Sequence, residues 1–486
     1  MEQSMILYNV TQPEPRRWVM FSILLVGTFL PPLDFFIVNV ALPSIQGELG
    51  ASSSAEQLVI SSYAAVYAVM LMTGGRLGDL YGRGKMFFLG LMGFAAASLL
   101  CGLASSPGML IAGRIMQGAT AAIMAPQALA SVQVLFPEKE KPLALSLYGA
   151  VFGLASVIGQ ALGGVLISLD LFNLGWRVIF LVNLPVALLV VLFGMRFLKE
   201  TRVKNARKLD PGGMFFATAT LCALIVPLVE GREACWAWWI GLLFLAVPVL
   251  ATLTWRYERQ LSQKGGAPLL DPVVLGAPGI GLGLVIALLF YSLAAFFLLF
   301  TVYLQKALHL EALSAGVIFL PFGAGFLIGP LLTPYLRKFA GNYLCAIGMG
   351  CEAAGLLALV WLINQTPLHA FPPVMPLGTL LFITGFGQGL AMPTLMRMIT
   401  GRVAPEFSGM IAGVTSSALQ ISTALGVAVF GTIFYNTLGK SEAEADIIHA
   451  FATATIAIAC CLAAGSVLSI RLIRQPFGLA RAANRQ

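Results

Sequence analysis

Fourteen stretches of the chain are almost purely apolar, and polar residues gather in short segments between them. The runs cover residues 18–41, 57–73, 86–104, 109–136, 143–169, 178–195, 212–229, 234–255, 277–305, 312–336, 339–363, 370–396, 407–439 and 450–470. Only three contain Asp, Glu, Lys or Arg: Asp34 in the first, Arg114 in the fourth and Glu352 in the eleventh. A helix needs about 20 residues to cross a ~30 Å hydrocarbon layer. Backbone groups in lipid must be satisfied inside helices or closed barrels. Barrel strands would alternate apolar with polar positions, whereas these runs are continuous. The pattern predicts an all-α integral membrane protein with fourteen transmembrane helices.

Composition narrows this further. Hydrophobic residues make up 58% of the 486 and charged residues 10%, against about 25% charged in soluble proteins. The mean hydropathy is +0.89. A soluble enzyme, a nucleic-acid-binding module and a disordered scaffold are excluded on those numbers. Seven scattered cysteines show no zinc-ligand spacing and read as small core residues, and the three histidines lie too far apart in sequence for a metal site to be expected. No metal, cofactor, nucleotide-binding loop or catalytic cluster is expected, so the chain does not read as an enzyme. The run from Trp18 to Ala41 behind Arg16 and Arg17 is too long for a cleaved leader and reads as the first helix.

The net charge of +8 is explained by where the cations sit. With the N-terminus inside, alternate segments assigned to the inner side hold 24 of the 29 Lys and Arg, and the outer ones hold only Arg177, Arg232, Lys306 and Lys440. Such a bias sets orientation. Both termini are therefore expected in the cytoplasm, and nucleic-acid binding is not expected.

The chain also echoes itself. Residues 74–83 close the second run as residues 329–338 close the tenth, Gln117-Gly118 returns as Gln388-Gly389, and Gln160-Ala-Leu-Gly163 returns as Thr423-Ala-Leu-Gly426. This predicts an N-terminal six-helix bundle over 1–196, a two-helix insertion with its linkers over 197–276, and a C-terminal six-helix bundle over 277–486. Two such repeats with a site between them is a transporter plan.

Four segments carry a family resemblance. Leu33-Asp-Phe-Phe-Ile-Val-Asn-Val-Ala-Leu-Pro43, Gly75-Arg-Leu-Gly-Asp-Leu-Tyr-Gly-Arg-Gly-Lys85, Leu110-Ile-Ala-Gly-Arg-Ile-Met-Gln-Gly118 and Trp176-Arg-Val-Ile-Phe-Leu-Val-Asn-Leu-Pro185 resemble, in order, motifs of the fourteen-helix drug:proton antiporters of the major facilitator superfamily. In two places the chain departs from the pattern: Gln160 stands where the fifth-helix motif has proline, and Leu58 where the second helix has tryptophan. The resemblance implies a proton-coupled exporter of amphipathic organic compounds, working by alternating access in a bacterial inner membrane. A carrier of one defined metabolite and a non-transporting sensor are the competing readings. Protons, the organic substrate and lipid are the expected partners. With no strong oligomer motif, a monomer is expected.

Asp34 and Arg114 are the sharpest candidates. At 1.5 Å per residue they lie about 10 Å and about 8 Å below the same membrane face, so a pairing between them is plausible. A carboxylate at that depth costs at least ~2.5 kcal/mol and needs a reason. It is either a proton-exchanging group or a fixed ion pair locking two helices. Glu352 lies near the middle of its run and has two readings: it binds a proton or a cationic substrate, or it serves an interhelical contact. Asn39, Tyr63, Gln127, Gln160, Tyr291 and Gln388 are candidates for a substrate cavity, although such residues more often satisfy one another between helices. In the loop motif with Gly75, Gly82 and Arg83, Asp79 is expected to cap the helix that starts near Ser408 and so latch the two halves together. The alternative is a charged loop that only directs topology.

Overall fold

The computed structural model describes residues 16–475, apart from Glu138, 199–208, 232–233, Ala267, 270–271, 404–407, Lys440 and Glu442. The described residues are almost wholly helical, with no strand among them. In chain order the long helices are α1 (Arg17–Leu49), α2 (Ser53–Tyr81), α3 (Arg83–Gly102), α4 (Pro107–Leu135), α5 (Lys141–Leu169), α6 (Asn183–Phe197), α7 (Pro211–Glu230), α8 (Trp238–Gln263) and α9 (Ile280–Ala307, which loosens at Tyr291–Leu293). They continue with α10 (Leu320–Ala340), α11 (Leu344–Gln365), α12 (Val374–Thr400), α13 (Ser408–Leu438) and α14 (Glu444–Arg474).

Twelve stretches are long and apolar enough to cross a membrane among the described residues. One of them is the whole of Ala312–Gln365, 54 residues long, with a short turn at Gly341–Tyr343. Helix α5 is 29 residues long and its sequence is apolar through 143–169, but some of its side chains lie outside the described residues. Against the fourteen crossings expected from the runs, twelve qualify on length and composition.

The helix boundaries follow local chemistry. Ser52 accepts from the Ala55 N–H at the start of α2, and Ser106 from the Met109 N–H, 3.3 Å away, at the start of α4. Asp210 does the same for Gly213 at 2.8 Å. These side chains satisfy backbone donors that a helix leaves open at its first turn. Pro107 and Pro211 occupy the first helical positions, where a missing N–H costs nothing. Gly50 ends α1 at φ 61°, a left-handed turn that favours glycine.

Glycines set the closest packings. A Cβ at Gly74 would stand 1.9 Å from the Ala122 carbonyl oxygen, and one at Gly118 2.5 Å from that of Tyr63, so α2 and α4 touch backbone to backbone. The same occurs between α10 and α12, where Cβ atoms at Gly385 and Gly325 would meet the Phe322 and Phe382 carbonyl oxygens at 1.9 and 2.3 Å. Small residues at such crossings let helices associate without a hydrophobic driving force. Elsewhere α1 packs on α5, α3 on α4, and α11 on both α12 and α14.

Contacts between the first six helices and the last six run along α2 with α13, and along α5 with Ala312–Ile318 and α10. Helix α7 packs on α8, α2 and α13, covering that seam. At the end where α1 finishes and α2 begins, polar bonds close the seam. Gln305 Nε2 donates to the Val40 carbonyl at 2.8 Å, Lys306 Nζ donates to Gln46, and the Tyr435 hydroxyl donates to the buried Glu56.

Candidate functional site

Asp34 sits on α1 two residues past the Pro31-Pro32 pair, and its side chain is completely buried. Its Oδ2 accepts from Arg114 Nη1. Its Oδ1 accepts from Gln117 Nε2 and Asn183 Nδ2, each at 3.0 Å. Arg114 and Gln117 lie one turn apart on α4, which brings both to the same face, and Asn183 opens α6. Ser98 of α3 completes the group: its Oγ accepts from Gln117 at 2.9 Å and from Asn183 at 3.3 Å. Four helices thus meet at one carboxylate.

Arg114 is held equally firmly. Its Nε donates to the Val59 carbonyl at 2.9 Å and its Nη1 to Gln117 Oε1 at 2.8 Å. Its Nη2 makes no hydrogen bond. A buried ion pair is tolerable only when geometry and further hydrogen bonds offset the lost hydration, and both are present around Asp34. The charge of this carboxylate is matched by one guanidinium and supported by two amide donors.

Tyr63 connects this group to a cavity. The Arg114 guanidinium carbon lies 4.3 Å from the centre of the Tyr63 ring, and the Tyr63 hydroxyl donates to the Pro31 carbonyl at 3.2 Å. The same tyrosine lines a cavity with Pro31, Pro32, Phe35, Phe36, Tyr67, Tyr291, Gln420 and Thr423. Its empty volume is about 390 Å³, counted to the open mouth. Residues from α1, α2, α9 and α13 therefore face one space between the first and last six helices.

The structure brings together some of the residues expected from the sequence and separates others. Asp34 and Arg114 pair directly. Tyr63 and Tyr291 line the cavity, while four other cavity candidates do not. Asn39 is buried and bonds to the Phe35 carbonyl of its own helix at 2.7 Å. Gln127 donates to the Gly74 and Ile123 carbonyls, both at 2.8 Å, and fills the space left by Gly78, so it ties α4 to α2. Gln160 is buried where α5 meets Gly316, and Gln388 is buried on α12. None of these four lines the cavity, and among the described residues both Gln160 amide atoms and Gln388 Oε1 are buried without a hydrogen-bond partner.

Glu352 is apart from the Asp34 group. It is fully buried on α11, and neither carboxyl oxygen has a hydrogen-bond partner among the described residues. In the loop motif, Asp79 Oδ1 accepts from Arg83 Nη2 at 3.0 Å, and Arg83 Nη1 donates to the Ala130 carbonyl at 2.8 Å. Gly82 joins α2 to α3 at φ 109°, and Gly75 packs over Pro126. The side chain of Ser408 lies outside the described residues. Sequence reasoning missed Gln117 and Asn183 as partners of Asp34, although both stand inside the quoted motifs, and missed Ser98, which accepts from both. It also missed Gln420 and Tyr67. Among the described residues, no group of three or more His, Cys, Asp or Glu comes together that could hold a metal ion.

A sequence model described as the Major Facilitator Superfamily matches residues 24–427. The chain belongs to that superfamily. It is 34% identical over 443 residues to a probable actinorhodin transporter of Streptomyces coelicolor, covering 90% of this chain and 75% of the relative. It is 36% identical over 426 residues to a puromycin resistance protein of Streptomyces alboniger, covering 87% and 82%. A cephamycin export protein of Amycolatopsis lactamdurans is 32% identical over 452 residues, covering 91% and 89%. Among solved structures, a bacterial homologue of the human lysosomal transporter Spinster superposes with a TM-score of 0.69 at 14% identity, covering 95% of this chain and 98% of that one. The chain is thus an all-helical major facilitator membrane transporter with antibiotic-export relatives, and such transporters are not enzymes.

Proposed function

We propose that the protein is a proton-coupled exporter of amphipathic organic compounds that works by alternating access. The observation that carries this reading is the buried Asp34 carboxylate, clasped by Arg114, Gln117 and Asn183 one aromatic ring away from the cavity. A proton on Asp34 would cancel its charge and leave Arg114 a buried cation without a counter-ion, which is costly. The protonated and ionised forms therefore favour different packings of α1 and α4, and a ligand against Tyr63 feels that difference. Each ligand must change the other's affinity by the same factor. Asp34 has no exposed surface in this conformation, so proton exchange belongs to the state in which the Gln46, Glu56, Lys306 and Tyr435 seam has opened.

The remaining assignments complete the scheme. The 54-residue stretch turns back at Gly341–Tyr343, and α5 spans with its whole length, giving fourteen crossings as six, two and six over 1–196, 197–276 and 277–486. The Lys and Arg bias places both termini in the cytoplasm of a bacterial cell, with the chain in its inner membrane. The closed seam then faces outward. In the opposite state, Asp79 caps α13 near Ser408 and holds the halves together on the cytoplasmic side, within the Gly75, Gly82 and Arg83 motif. Glu352, a buried carboxyl with neither cation nor donor, is a second candidate for carrying a proton. The protein acts as a monomer. Three relatives are named for a single compound each, which favours a second reading as the exporter of one particular product.

The test is flux into proteoliposomes under an imposed pH gradient, using cationic, neutral and anionic compounds. Proton-driven accumulation is expected, and it is lost in Asp34→Asn. Full proton-driven flux in Asp34→Asn would overturn the coupling assignment, and saturable flux of one compound alone would select the second reading.

A further inference from the structure

We infer that the cavity seats an uncharged, planar aromatic compound on the Tyr63–Tyr67 ring pair and discriminates against permanent organic cations of the same shape. The inference rests on the exporter reading and names its passenger by class.

Tyr63 and Tyr67 stand one turn apart on α2, with rings only 6° from parallel and centroids 6.0 Å apart. The two rings are stacked, parallel and offset, so they continue one aromatic column beside the cavity. Phe35 and Phe36 of α1 and Tyr291 of α9 face the same space, and Pro31-Pro32 add rigid apolar rings. A flat ligand can extend that stack by one more layer, and stacking on one aromatic ring is worth roughly tenfold or more in affinity.

The polar groups at the wall are neutral. Thr423 and Gln420 come from α13, and the Gln420 amide makes no hydrogen bond to the described residues. An amide offers both a donor and an acceptor, which suits a carbonyl or phenol at the rim of a ring system. Such a wall, apolar with a few convergent polar groups, has the general make-up of a small-molecule site.

Aromatic walls often attract cations, but two features oppose that here. The Tyr63 ring already carries the Arg114 guanidinium, so its π system is engaged by a fixed positive charge. No Asp or Glu lines the cavity. Asp34 is shut away with three donors, and Glu352 is buried outside the lining. A cation would leave water without meeting a counter-charge, a cost that a neutral ring system of equal size avoids.

The experiment compares acridone with N-methylacridinium, which share a tricyclic outline and differ in charge. Fluorescence titrations use the full chain in lipid nanodiscs, with empty nanodiscs subtracted. Acridone is expected to bind saturably and at least about tenfold more tightly than N-methylacridinium. Tyr67→Leu should weaken acridone roughly tenfold, while Tyr67→Phe, which keeps the ring, should stay within about threefold. Equal or tighter binding of N-methylacridinium overturns the inference. So does unchanged acridone affinity in a folded Tyr67→Leu protein. Flux in proteoliposomes separates this from the parent reading. Proton-driven transport of N-methylacridinium but not acridone sinks the ligand class and keeps the exporter. Tight acridone binding without any proton-driven flux sinks the exporter and keeps the ligand class.

Discussion

The ring of Tyr63 carries the Arg114 guanidinium 4.3 Å from its centre and at the same time forms part of the cavity wall. Among the described residues, no other that lines the cavity hydrogen-bonds to Arg114 or stacks against it. Tyr63 is therefore the shortest physical path between whatever occupies the cavity and the carboxylate that Arg114 neutralises. A desolvated cation–π contact is worth up to about 2 kcal/mol. Tyr63→Leu should lower the initial rate of proton-driven flux by roughly tenfold to thirtyfold. Tyr63→Phe loses only the hydroxyl bond to Pro31 and should retain most of the rate.

Two buried asparagines should behave differently. Asn183 donates to Asp34 and Ser98, so Asn183→Leu strips a buried carboxylate of a donor. Such a loss costs about 1–3 kcal/mol. Asn39 bonds only to its own helix through Nδ2, and its Oδ1 is without a partner, so Asn39→Leu should be nearly neutral. Melting midpoints in nanodiscs and flux rates, measured side by side, check the contrast. Equal effects would count against the Asp34 cluster.

Gly74 and Gly385 mark the backbone contacts of α2 with α4 and of α10 with α12. A side chain at either meets a carbonyl oxygen at 1.9 Å, and backbone cannot swing aside as a side chain can. Gly74→Val and Gly385→Val should each cost about 1–3 kcal/mol or more. The yield of monodisperse protein on size exclusion should fall. Gly47→Val, where a Cβ meets nothing within 4 Å, is the control.

Arg17 and Glu140 tie the start of α1 to the segment before α5, with Arg17 Nη2 to Glu140 Oε1 at 2.7 Å. The hydrogen bond from Arg17 holds the Glu140 carboxyl below the usual carboxylate range. The tie is therefore fully present above the ordinary carboxylate pKa and is lost as pH falls through the lowered one. Melting midpoints should show the parent more stable than Arg17→Gln at neutral pH, with the difference vanishing as pH falls through the lowered Glu140 pKa. Identical profiles would mean that the pair contributes nothing.

Gln46 and Lys306 touch across the seam at the end where α1 finishes. Cysteines at both positions, in a chain with its seven native cysteines replaced, should form a cross-link with a short bifunctional reagent. Flux should stop while the link holds and return when a cleavable link is cut. Undiminished flux in the linked protein would mean that the seam does not part during the cycle.

The sequence exposed the Asp34–Arg114 pair because each is a solitary charge in an apolar run, at matching depth from one membrane face. Gln117 and Asn183 gave no such signal. Neutral amides are cheap enough to bury that they occur throughout these helices, and only the folded crossing of α1, α3, α4 and α6 shows which ones converge. The cavity was legible in Tyr63 and Tyr291 but not in Tyr67 or Gln420. Which side of a helix faces inward depends on its rotation against its neighbours, and nearly uniform apolar runs do not encode that rotation. Gln127 looked like a ligand group from its polarity alone, yet Gly78 leaves a hole on α2 that its side chain fills.

A cavity wall without formal charge has an electrical consequence. If an uncharged passenger leaves for each proton that enters, every cycle moves one positive charge inward, and the membrane voltage assists along with the pH difference. At 100 mV that assistance is about 2.3 kcal/mol, enough for roughly a fiftyfold concentration ratio. A singly charged cation exchanged one for one would gain nothing from the voltage. Pumping by this protein would then continue in alkaline surroundings, where the voltage remains after the pH difference has vanished.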